Sequence, residues 1–153
     1  MNGQKFRSVF RQITLAPRLT ELYDLFQTNH TLGQRGEREA ERFLLKKGWI
    51  IIERGYQDKF GEIDLIAVDG ETVVFVEVKT RQSDVAGRPE EAVDGKKQTH
   101  VSRTAKGYLK FHKLTECSAR FDVIAITWPH SEKHPEIVHY ENAFESVGEF
   151  QMF

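Results

Sequence analysis

Residues Gly61–Arg81, GEIDLIAVDGETVVFVEVKTR, decide the fold. Ile63–Val68 alternates weakly and Val73–Val78 is a β-branched, apolar run, with the tight-turn dipeptide Asp69-Gly70 between them. The pattern predicts a β-hairpin. With Asp69 and Gly70 as the loop residues, Val68 faces Glu71, Ile66 faces Val73, Asp64 faces Phe75 and Glu62 faces Glu77. Side chains alternate along a strand, so Glu62, Asp64, Glu77 and Lys79 share one face. Asp64 and Glu77 become diagonal neighbours, roughly 7–8 Å apart at Cα and within reach of one ion.

Three carboxylates and an ammonium on a face otherwise built of Ile, Val and Phe carry a cost. Like charges about 4 Å apart repel by about 4 kcal/mol at an effective dielectric of about 20. A divalent cation removes that repulsion, and Mg2+ or Mn2+ takes carboxylate oxygens while keeping several waters. The competing reading is a hairpin end frayed into solvent, with Glu62–Lys79 and Glu77–Arg81 as weak surface pairs.

A chain of 153 residues, 39% hydrophobic and 29% charged, has the length and balance of one soluble domain. Its apolar runs are too short to span a bilayer, and its start has no signal-peptide core. The single cysteine, Cys117, rules out an intrachain disulfide and a CxxC metal site, so a cytoplasmic location is expected. The net charge of −1 does not mark a general nucleic-acid binder. From Lys79 to Lys113, however, nine Lys/Arg stand against four Asp/Glu. That excess suits a phosphate-facing surface and equally an ordinary solvated helix face.

Residues 1–30 read as an appended arm, basic at first and interrupted at Pro17. The domain spans 31–145 and a short tail covers 146–153. A first helix is predicted from Thr31 to Lys47, ended by Gly48. Its inner stripe is Ala40, Phe43, Leu44 and Lys47, and Glu37 falls on the same stripe. Spacing leaves two roles for Glu37: an acid of a site, or a group satisfying the helix N-terminus. A strand (Trp49–Arg54) precedes the hairpin, and a polar loop with Gly87 and Pro89 follows it. The second helix, Gly95–Lys113, buries Val101, Ala105, Tyr108, Leu109 and His112. Lys97 and Gln98 extend that stripe toward a phosphate or attacking water, or else form a polar helix start. Strands at Phe121–Trp128 and Ile137–Tyr140 complete an α/β domain, a mixed central sheet flanked by helices. Asp122 is expected inward or at an edge. The HxxxH pair His130 and His134 lies in a Pro-bracketed loop, where that spacing does not align ligands.

GEIDLI (61–66) with VFVEVKTR (74–81) resembles the YraN-like family of bacterial proteins. That family belongs to the restriction-endonuclease-like PD-(D/E)xK superfamily and is similar to archaeal Holliday-junction resolvases. Gly36-Glu37 with Ala40, Ala92-Val93 with Lys97-Gln98, Ala105 with Tyr108-Leu109, Arg120–Val123 and Asn142–Phe144 extend the likeness over roughly residues 31–145. The resemblance implies a restriction-endonuclease-like core and a metal-dependent nuclease. Asp64, Glu77 and Glu37 match its metal-binding acids, and Lys79 matches the lysine that positions the attacking water. Glu62 and Gln98 match residues that support these, and Arg81, Lys96, Lys97, Arg103 and Lys106 are candidates for nucleic-acid contact. The expected cofactor is Mg2+ or Mn2+, with no small-molecule cofactor. The expected partner is DNA, in branched or recombination forms, met by a homodimer. The alternative is a non-catalytic nucleic-acid-binding module that keeps the nuclease fold. The chain departs from the family pattern at Gly55, where an asparagine is usual.

Overall fold

The computed structural model describes residues 31–82, 93–129 and 133–147. The arm at 1–30, the Gly87/Pro89 loop, His130 and most of the tail lie outside the described residues. The elements are α1 (Leu32–Lys46), β1 (Ile50–Gln57), β2 (Glu62–Asp69), β3 (Thr72–Arg81), α2 (Gly95–Phe111), β4 (Ser118–Thr127) and β5 (Glu136–Phe144). The five strands form one sheet in the order β1-β2-β3-β4-β5. Only β3 and β4 are parallel, and α2 connects them. This is the mixed α/β architecture expected. No helix among the described residues is long and apolar enough to cross a membrane.

Both helices are closed by local chemistry. Thr31 and Gln34 form a reciprocal capping box at the start of α1. Its end is a Schellman motif: Gly48 N–H donates to Leu45 O and Trp49 N–H to Leu44 O, with Gly48 at φ 85°. α2 ends the same way, Lys113 N–H bonding Lys110 O and Leu114 N–H bonding Leu109 O. Here, however, the left-handed position (φ 57°) is filled by Lys113.

The helices cover opposite faces of the sheet. α1 lays Ala40 and Leu44 on Leu65, Ala67, Val74, Val76, Ile124 and Ile126. α2 lays Val101, Ala105, Tyr108 and Leu109 on Ile63, Ile66, Val68, Val73, Phe75 and Phe121. α1 approaches β3 so closely that a Cβ on Gly36 would overlap the Thr80 hydroxyl.

The hairpin register differs from the expected one. Asp69 pairs with Thr72, Val68 with Val73 and Ile66 with Phe75, so the loop residues are Gly70 and Glu71. The first position of such a two-residue loop demands a positive φ, which Gly70 supplies at 61°. The shift is two residues, so the side chains of the paired segment, Leu65–Asp69 with Thr72–Val76, keep their faces. Continuing the register sets Asp64 directly opposite Glu77 instead of diagonal to it.

Candidate active site

The β2–β3 ladder stops at Leu65–Val76. Beyond it the Asp64 carboxylate takes over from the backbone, its Oδ2 accepting the Val78 N–H at 2.7 Å. β2 also loses strict alternation here, because Ile63 packs with the α2 cluster and Leu65 with the α1 cluster. The two strands therefore fork at Asp64, and the fork is where the charges gather. Glu77 ends the apolar run of β3 on the α2 face, 1% exposed. Lys79 follows on the same face, half-buried.

α2 adds the fourth group. Its N-cap, Asp94, accepts the Lys97 N–H at 2.8 Å, which fixes Lys97 at the third helical position. From there the side chain lies on the stripe of Val101, Ala105 and Tyr108 and faces the sheet. Lys97 Nζ sits 3.1 Å from Glu77 Oε2.

The electrostatics are those of a site short of positive charge. Burial, reinforced by the Asp64 carboxylate, pushes Glu77 up from 4.5 to about 7, against the pull of Lys97 and Lys79. Burial likewise raises Asp64, against the Val78 amide and the same two lysines. Burial opposes the charge of Lys97, but its pairing with Glu77 holds that ammonium above its ordinary value. Glu77 Oε1 is buried with no hydrogen-bond partner among the described residues. Two opposed carboxylates, one with an unpartnered buried oxygen, fit a hard divalent cation, which is commonly held by one or two carboxylates plus water.

The other sequence-predicted residues are spread around this pair. Glu62 is exposed at the start of β2, and its charge is felt at Asp64 and Lys97. Glu37 is half-buried on α1, beside the Gly36–Thr80 contact. It reaches this end of the sheet from the face opposite α2. Among the described residues no group of three or more His, Cys, Asp or Glu is arranged to hold a metal, so the acids gathered are Asp64 and Glu77. Gln98 does not turn toward them, because its Nε2 donates to Val93 O at 2.9 Å at the helix start. Lys97, expected to extend the α2 stripe toward a phosphate or attacking water or to form a polar helix start, is ion-paired with Glu77. Lys96 and Arg103 are exposed on α2, and Lys106 and Arg81 are half-buried.

A second polar centre, on the α1 face, was not anticipated as a network. Asp122 is fully buried. It accepts from Arg120 Nε at 3.1 Å, His139 Nε2 at 2.9 Å and the Asn142 amide at 2.9 Å. Arg120 reaches on to Asp69 at 3.0 Å, and Lys47 bridges His139 Nδ1 (3.1 Å) to Glu141 (2.9 Å). An ammonium only donates, so Nδ1 accepts and Nε2–H donates to Asp122. Burial alone would raise Asp122, but the bonds from His139, Arg120 and Asn142 outweigh it and hold the carboxyl below its ordinary value. The shared face of Arg120 and Asp122 follows from strand alternation, whereas nothing in the sequence ties His139 to them.

The model of "Uncharacterised protein family UPF0102" matches residues 36–126, which include most of α1, all of α2 and the charges Asp64, Glu77, Lys79 and Lys97. A UPF0102 protein of Rhodopirellula baltica is 45% identical over 78% of this chain and 74% of its own length. One from Geotalea daltonii is 47% identical over 76% of this chain and 91% of its own. Among solved structures, Pyrococcus furiosus SfsA in complex with Ca2+ overlaps 70% of this chain and 63% of its own, with 16% identity and a TM-score of 0.33. The chain belongs to uncharacterised protein family UPF0102, the YraN-like branch of the restriction-endonuclease-like superfamily.

Proposed function

We propose that this protein is a Mg2+- or Mn2+-dependent endonuclease that hydrolyses DNA phosphodiester bonds, with branched or recombination intermediates as its preferred substrates. The observation that carries the reading is the half-buried Asp64 opposite the buried Glu77, both raised, Glu77 with an oxygen unpartnered among the described residues, beside Lys79. Asp64 and Glu77 would hold the ion, and Glu37 is a further acid at the same end of the sheet. When bound, the ion supplies neutralisation of phosphoryl charge and a water of lowered pKa. Lys79 makes no hydrogen bond or ion pair among the described residues and acts on both carboxylates through its charge. Its ammonium is free to orient the attacking water and to stabilise charge on the phosphorane. Arg81, Lys96, Arg103 and Lys106 supply sequence-independent phosphate contacts that position the strand.

The test is incubation with branched, single-stranded and duplex DNA in the presence of Mg2+ or Mn2+. Metal-dependent cleavage that is abolished by Asp64→Asn is expected, since Asn keeps an oxygen for the Val78 amide and removes the charge. Lys79→Arg should keep metal affinity within a few-fold and cut the rate by about 10²–10⁴. Binding without cleavage, indifferent to Asp64→Asn, would make the protein a nucleic-acid-binding module. Wild-type rates in Lys79→Arg would reduce Lys79 to a counter-charge.

A further inference from the structure

We infer that Lys97 is a resident counter-ion of the site, which a divalent cation displaces. This rests on the metal-site reading of Asp64 and Glu77. Three observations on α2 support it. Lys97 Nζ occupies Glu77 Oε2 at 3.1 Å, while Oε1 of the same buried carboxylate has no partner among the described residues. The ammonium also acts on Asp64 and is itself held charged by Glu77, Asp64 and Glu62, so it stands in the field of all three acids. Lys96 and Lys97 stand in the first turn of a helix with no acid in that turn, where the macrodipole disfavours cations. A lysine kept against the dipole and aimed inward has a role that helix stability does not explain.

An ammonium and a divalent ion on one carboxylate repel at close range in a partly desolvated pocket. Glu77 therefore satisfies one or the other. The side chain of Lys97 is 36% exposed and Glu77 is 1% exposed, so the lysine is the group with a path outward. Cation binding would release Lys97 toward solvent, at the mouth of the site where an anionic substrate arrives.

Calorimetric titration with Mg2+ at about pH 8.5, where lysine stays charged and the carboxylates are ionised, tests the exchange. Wild type, Lys97→Ala, Lys97→Arg and Asp64→Asn are compared. Lys97→Ala should bind Mg2+ about tenfold tighter, within the usual range for coupled sites, and Lys97→Arg no tighter than wild type. In wild type, amine-directed labelling of Lys97 read by mass spectrometry should speed up severalfold on Mg2+ saturation and stay constant in Asp64→Asn. This arm decides the matter even if Lys97→Ala fails to fold. Unchanged or weaker Mg2+ binding in Lys97→Ala, together with unchanged labelling in wild type, overturns the exchange and leaves the metal site standing. Mg2+ binding that is absent in wild type, or indifferent to Asp64→Asn, overturns both.

Discussion

Glu77 and Asp122 are nearly the same residue in the same place, and the protein treats them in opposite ways. They lie on adjacent parallel strands one residue apart, since Glu77 pairs with Val123 and Asp122 with Val76. Their exposures are 1% and 0%. Burial raises both carboxyls. On the α1 face, His139, Arg120 and the Asn142 amide overcome that burial and leave Asp122 below its ordinary value. On the α2 face, Glu77 has the Lys97 ammonium, a second carboxylate across the strand and an oxygen with no partner among the described residues. One carboxylate is finished within the chain. The other keeps one oxygen that no described residue satisfies.

The comparison breaks most visibly by substitution of the finished carboxylate. Asp122→Ala leaves the Arg120 guanidinium and the His139 N–H facing an empty interior. Losing one partner of a buried ionic network destabilises by about 3–5 kcal/mol, which equilibrium urea unfolding would read. A loss under about 1 kcal/mol would mean that water enters the α1 face and that the two regions are alike.

The next effect is a pH profile. Folded Glu77 titrates at about 7 against 4.5 for the unassociated group. Its folded value lies above its unfolded value, so between them the native state holds a proton that the unfolded chain has lost. The associated stability is complete below pH 4.5 and falls as pH rises to about 7, by up to about 3 kcal/mol for the metal-free protein. Asp64, also raised, adds to the fall. Asp122 runs the other way: its folded value lies below 3.8, so its contribution is present above 3.8 and is lost in acid. Glu77→Gln should flatten the upper window and leave the acid limb intact. Unfolding free energies across pH 3 to 8 would check both, and stability that climbs steadily toward neutrality would contradict the reading of Glu77.

The smallest effect is a control outside both regions. Lys113 holds the left-handed position after α2 at φ 57°. Lys113→Gly should stabilise by about 1 kcal/mol by relieving that conformation, with no change in Mg2+ binding or in the pH profile. A shift in either would show that the end of α2 communicates with its beginning.

The hairpin and both helices were legible because periodicity and caps are local. Thr31 and Gly48 mark the ends of α1, and the period-two pattern placed Asp64, Glu77 and Lys79 together. The turn was misplaced because Asp69-Gly70 is the commoner dipeptide signal, whereas the loop begins at Gly70, where φ must be positive. An error of two residues preserved the face, and an error of one would have scattered the acids. Lys97 carried its signal in helical spacing, four residues before Val101. That spacing fixes a direction, and the ion pair with Glu77 depends on how α2 docks. The Asp122–His139 bond was invisible for the same reason, since the β4–β5 register shifts between Phe121 and Val123, where Asp122 lies. Helix spacing set Glu37 beside the apolar stripe, but the side of the sheet that α1 would cover was not written in it.

The bond from Val78 N–H to Asp64 Oδ2 makes one side chain both a member of the acid pair and a strand partner. Codons for aspartate and asparagine differ at a single base, and asparagine supplies the same acceptor oxygen to Val78. A lineage under no pressure to keep the chemistry could therefore lose the charge in one mutational step while the fork between β2 and β3 stays closed. On the proposed reading the scaffold would outlive the activity, and a homologue carrying asparagine at this position would be a folded protein in search of another use.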